Sequence, residues 1–366
     1  MTSSATLPDA PSTPARTAWR STWRASLVVH PGNADHADLF VALRAGLTVL
    51  VAIALAALAG HRDVSGFAAL GAIAAVYGRL ADPVGRARLV GAAGLLQVAV
   101  VATTSAVAWA LATHGSATFA TWAVPVVLGA VAWLACAGSA ALRTGPPGAT
   151  LPVFAAAAGL LGDPTGAVVA QRTVATVAGA LVAVLVVAAV GARTAAGRAR
   201  ARMPLAPALP PVADWQLTAA RTGLGALVGA VAAQAVGLGH PGWAAVGATA
   251  VLQGTSHTQV VVRALHRGAG TAVGAVLAWA VLDVHLPFWA LALVIASLQV
   301  VTELIVARHY GIAMLTITPM ALLMVSLAGS VDPAQLAGQR AFDTLLGVAV
   351  GVLVLLVLPH RAASAA

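Results

Sequence analysis

Apolar stretches dominate this chain, and short polar breaks separate them at near-regular intervals. They fall at about 40–60, 64–78, 89–113, 118–142, 146–161 and 170–191, then at 217–238, 241–254, 268–284, 287–306, 310–329 and 341–358. A helix needs roughly 20 residues to cross a bilayer, and several stretches reach that length. In lipid the backbone must satisfy its own hydrogen bonds, which a helix does within one segment. Only 8% of the 366 residues are charged and 60% are hydrophobic. A soluble domain carries about a quarter charged residues, so lipid is the expected solvent and partner. The pattern predicts an all-α, polytopic membrane helix bundle of twelve spans, with 64–78, 146–161 and 241–254 the short ones.

Charge placement tests that count. Loops numbered alternately from a cytoplasmic N-terminus put Arg16, Arg20, Arg24, Arg79, Arg86, Arg88, Arg143, Arg193, Arg198, Arg200, Arg202, Arg263, Arg267, Arg308 and Arg361 on the inner side. Arg62 stands on the outer side with Asp63, Asp163, Asp283 and Asp332, besides Arg172 and Arg340 at helix starts. By the positive-inside rule both termini are cytoplasmic and the protein is a multi-pass protein of the plasma membrane. The net charge of +9 is all arginine over acid, with no lysine. It suggests no nucleic acid, because no solvated domain carries a basic patch. Cys136 stands alone, and His257 and His266 are nine apart, so no metal-ligand spacing is present. There is no GxSxG, HExxH or P-loop. Neither enzyme activity, a cofactor nor a metal is expected.

The chain also reads as a duplication. DLFVALRAGL (38–47) matches DWQLTAARTGL (214–224), GFAALGAIAAV (66–76) matches GWAAVGATAVL (242–252), and QRTVATVAG matches QRAFDTLLG near 171 and 339. Six spans per half is even, so the halves form two parallel six-helix repeats. The expected organisation is an interfacial tail at 1–36, a first repeat at 37–192, a linker at 193–213, a second repeat at 214–360 and a tail at 361–366.

Few polar residues interrupt the apolar runs. Arg340, Asp343, Thr344 and Gly347 share one helix face at i, i+3, i+4 and i+7, and Arg172, Thr176 and Gly179 repeat it. A charge in mid-bilayer costs about 3 kcal/mol by insertion scales, so this face should look inward. The other reading is an Arg–Asp pair that snorkels at an interface and docks helices. Arg44 and Arg221 begin the first span of each half, as pore residues or as plain topology determinants. Pro152 and Pro319 are expected to interrupt the fifth and eleventh spans, as broken helices do at transport sites or as simple packed kinks do. Asp343 and Glu303 are the titratable candidates for proton coupling, Glu303 alternatively bridging to Arg308.

HPGWAAVGATAVLQGTSHTQVVVRALHRGAGTAVGAVLAW (240–279) resembles the fusaric acid resistance (FUSC) family, with an aromatic-led span and then R-x-x-x-R-x-x-G-T-like residues. RAFDTLLG resembles that family's last span with its R-x-x-D-T, and Tyr310 through Pro319 its fifth. The resemblance implies an exporter of aromatic and other carboxylic acids; plant malate channels are distantly similar. It departs in two respects: large cytoplasmic domains that many members carry after each half are not seen here, and Ala175 faces Asp343 in the repeat alignment. The expected function is therefore export of small organic anions between the six-helix halves. The alternative is a non-transporting scaffold or accessory subunit, and homo-oligomerisation stays open. A wet, arginine-lined cavity between the halves would favour transport, a dry seam the alternative.

Overall fold

In the computed structural model of the protein, residues 36–78, 83–195, 212–254, 256–329 and 331–359 are described. The expected tails and most of the 193–213 linker lie outside them. The described residues form twelve α-helices and no strand. They are α1 (His36–Leu58), α2 (Ser65–Ala72, continued by a 3-10 turn Ile73–Val76), α3 (Pro83–His114), α4 (Ala117–Leu142), α5 (Thr150–Gly159) and α6 (Gly166–Ala195). Then follow α7 (Val212–Ala235), α8 (Pro241–Leu252), α9 (His257–Asp283), α10 (Phe288–Ile305), α11 (Tyr310–Ser326) and α12 (Pro333–Val357). Among the described residues seven helices are long and apolar enough to cross a membrane: α1, α3, α4, α6, α9, α10 and α12. The shortest helices are α2, α5 and α8, as the run lengths predict, while α11, expected as a full span at 310–329, has 17 residues; ten residues in α5 cover about 15 Å, half a hydrocarbon core.

Several helices start ahead of their apolar runs, and in α6, α9 and α12 this sets charged residues inside the helix, for one reason. Hydropathy registers where a helix turns apolar, and polar capping residues start it earlier. The Ser256 hydroxyl accepts from the Gln259 N–H at 3.3 Å, so α9 begins at His257 and not near 268. Arg263 and Arg267 therefore sit on a helix, not in a loop. The Asp332 carboxylate accepts from the Gln335 N–H at 2.8 Å, so α12 begins eight residues before the apolar run and carries Arg340 and Asp343 well inside it. Likewise α6 starts at Gly166, ahead of Arg172.

Packing follows the same scheme on each side. α6 packs against α2 and α3, while α12 packs against α8 and α9; α3 meets α5 as α9 meets α11. The two sets of six meet where α4 packs on α7 and α10 on α1, and the short α5 and α8 touch between these seams. Without a hydrophobic drive between helices in lipid, association relies on close van der Waals contact through small residues. Where α2 crosses α6, a Cβ on Gly71 would strike the Thr176 carbonyl oxygen, and one on Gly179 the Ala68 carbonyl oxygen. Where α8 crosses α12, Gly247 lies under the Thr344 carbonyl and Gly347 under that of Ala244.

These crossings predict that Gly179→Ala and Gly347→Ala each lose about 1–3 kcal/mol through overpacking. Thermal unfolding of the purified protein should show both with lowered midpoints. Gly138→Ala, where an added Cβ meets open space, should leave the midpoint in place.

Candidate anion-binding cavity

A cavity of about 920 Å³ lies between the two sets of helices. Its walls come from the end of α2, the start of α3, the end of α4, the start of α5, the end of α8, the start of α9, the end of α10 and the length of α11, with Arg340 from α12. Chain direction places it at the end of the bundle that holds the breaks after α2, α4, α8 and α10. The walls are mainly apolar, with Ile73, Leu151, Phe154, Val246, Ile317, Met320 and Met324. Against them stand five arginines, Arg88, Arg143, Arg263, Arg267 and Arg340, and one acid, Glu303.

Arg267 and Arg340 are the deepest of these, at 3% and 1% exposed. Arg267 Nη1 donates to the Tyr310 hydroxyl at 3.1 Å and lies 3.5 Å from Met314 Sδ. Its Nε and Nη2 have no partner, and neither do Nε and Nη1 of Arg340. Arg340 sits over the Trp243 ring at 5.3 Å, and the His240 ring stacks on that indole at 4.0 Å. Arg263 completes the cluster with its guanidinium 4.7 Å from the Tyr310 ring centroid, donating to the Ala250 carbonyl at 2.9 Å and to Gln253 Oε1 at 3.2 Å. Gln253 in turn donates to the Pro147 carbonyl at 2.6 Å and to the Thr150 hydroxyl, tying α8 to the start of α5. The Tyr77 hydroxyl donates to Gly148 of the same loop at 2.8 Å. Burying a guanidinium without partners costs several kcal/mol. Both side chains line the cavity, so positive charge with unpartnered nitrogens borders an apolar chamber.

The expected site residues do not converge. Arg340 and Glu303 line the cavity; Arg44, Arg172 and Arg221 do not. Arg172 caps the end of α5, donating to the Gly159 and Leu161 carbonyls at 3.1 Å each, with its guanidinium 5.1 Å from the Phe67 ring centroid. Arg221 donates to the Pro359 carbonyl just past α12. Arg44 is buried, with Glu303 and Arg86 as charged neighbours. Glu303 Oε1 also accepts from Gln299 at 3.1 Å. Asp343 is 0% exposed beside Arg340, behind the cavity wall. Thr344 lies in the α8–α12 crossing. Pro319 is inside α11, but Pro152 occupies the first turn of α5, where no helical bond is lost, so it starts a helix and does not interrupt one. Arg263, Arg267, Tyr310 and Gln253 were not singled out from sequence as site residues. The spacing of Arg263 and Arg267 at i and i+4 carried the signal, and the hydropathy-based start of α9 hid it.

A second cavity of about 240 Å³ opens toward the other end, among Val124, Leu128, Leu161, Gln234, His240 and Trp243. Phe154 lines both cavities, so the short α5 carries part of the wall between them.

Fold and cavity together define a multi-pass helical membrane protein. Residues 226–354 match the family described as "Fusaric acid resistance protein-like", so the resemblance read from the second half is found. The chain is also 29% identical over 153 residues to "Uncharacterized membrane protein YvaC" of Bacillus subtilis (strain 168). That match covers 40% of this chain and 24% of that protein. No solved structure matches.

The geometry separates two kinds of arginine. Arg172→Gln removes two bonds to helix-end carbonyls and should cost about 1–3 kcal/mol in thermal unfolding. Arg267→Gln relieves a buried, half-partnered charge and should unfold at or above the wild-type temperature.

Proposed function

We propose that this chain exports small organic anions, aromatic and other carboxylates, through the cavity between two six-helix halves. The observation that carries the reading is the pair Arg267 and Arg340, buried at the cavity with four guanidinium N–H-bearing nitrogens unpartnered. A carboxylate accepts from guanidinium groups with matched geometry, and the apolar walls suit a hydrocarbon or aromatic body. A scaffold protein gains nothing from such a cavity, so the transport reading is preferred to that alternative.

The two halves are read as a parallel repeat, and paired features support this. Arg172 over Phe67 in the first half corresponds to Arg340 over Trp243 in the second, at positions that align in the sequence. The crossings through Gly71 and Gly179 correspond to those through Gly247 and Gly347. With both termini cytoplasmic in the plasma membrane, the large cavity opens inward and the smaller one outward. Inside-negative voltage then favours anion exit by roughly 2.3 kcal/mol per charge per 100 mV.

Proteoliposomes loaded with benzoate test this. Wild-type protein should accelerate efflux, and Arg267→Gln and Arg340→Gln should each slow it about tenfold or more, the equivalent of at least 1.4 kcal/mol of lost anion stabilisation. Unchanged efflux from folded variants would remove the guanidinium pair from the path.

A further inference from the structure

Asp343 is a buried acid beside the guanidinium pair to which anion transport alone gives no task. Its side chain is 0% exposed. Neither carboxylate oxygen makes a hydrogen bond, and the carboxylate faces the backbone N–H of His240 without reaching bonding geometry. Its counter-charge is Arg340, one turn earlier on α12, which also faces Arg267 and Tyr310.

The neighbouring helices bring little else to it. α12 packs against α7, α8 and α9. On α7, Arg221 is held at the far end of α12 by the Pro359 carbonyl. Before α8, the His240 ring lies on Trp243. On α9, Arg267 faces Arg340, while His266 lies 4.4 Å from the His309 ring, toward α11. Arg340 therefore has two claimants, Asp343 behind it and whatever anion enters the cavity in front.

We propose that Asp343 is the fixed counter-charge of Arg340 while the cavity is empty, and that it binds a proton when an incoming carboxylate takes its place beside that guanidinium. The inference rests on the anion-site reading above. Two carboxylates sharing one guanidinium in a low-dielectric setting repel each other, and a carboxylate without donors is costly to keep ionised there. Adding one proton to an Asp343 oxygen leaves the cluster with the net charge it had when empty, and no bond in the substrate is broken. Ala175 stands at the matching position of the first half, so the device occurs once per chain and takes up one proton per anion bound. Because binding takes up a proton, affinity should strengthen as pH falls, by up to about tenfold per pH unit.

The test uses the full chain in nanodiscs, with benzoate as probe and a pH indicator in weakly buffered solution. Wild-type protein should take up about one proton per benzoate bound, by linkage. Asp343→Asn should bind benzoate with no uptake and an affinity that does not follow pH, while Asp343→Glu should retain the uptake. The proposal is overturned if the wild type takes up no proton, or if uptake persists in Asp343→Asn. Uptake lost instead in Glu303→Gln or His240→Gln would also overturn it. Should Asp343→Asn not fold, wild type and Asp343→Glu still decide, because absent uptake in both contradicts it. If the wild type binds no benzoate at any pH, the anion reading fails and this inference fails with it.

Discussion

A helix of ten or twelve residues cannot span hydrocarbon, so each of its ends must find hydrogen-bond partners inside the protein. Much of the structure follows from where those partners come from. α5 ends on the guanidinium of Arg172 and begins at a loop that Gln253 and Tyr77 hold from α8 and α2. α8 and α2 are themselves short, and they are seated against α12 and α6 through glycines that bring backbone to backbone. Short helices held at mid-bundle leave space at both of their ends. The two cavities occupy that space, with Phe154 between them.

The larger space is where the fold tolerates its least favourable electrostatics. Arg172 and Arg221 cap carbonyls, which is a structural use of charge, although Nε of Arg221 is left without a partner. Arg267 and Arg340 cap none; both line a chamber with apolar walls, and four of their nitrogens are buried without a partner. The arginines that the positive-inside rule counts and those that line the cavity overlap, since Arg88, Arg143, Arg263 and Arg267 belong to both sets.

Much of the helical architecture was legible in sequence because hydropathy reports it directly. The short α2, α5 and α8 appeared as short apolar runs, and the FUSC resemblance fell on the half that the family match covers. The site was less legible. Hydropathy cannot see a helix before it turns apolar, so the first eleven residues of α9 read as loop and took Arg263 and Arg267 with them. Repeat alignment treated Arg172 and Arg340 as equals, and both do sit on an aromatic ring of a short helix. Their remaining partners differ, because only one of them meets the end of α5. Sequence equivalence fixes a backbone position, whereas the use of a charge depends on which helix end lies within reach.

The most direct test of the account is to locate a bound carboxylate. A structure solved with 4-bromobenzoate, phased on the anomalous scattering of bromine, should place the ligand in the larger cavity with its carboxylate on Arg267 and Arg340 and its ring toward Met320 and Leu151. A ligand found only at the lipid-facing surface, or a cavity closed into a dry seam between the halves, would contradict it.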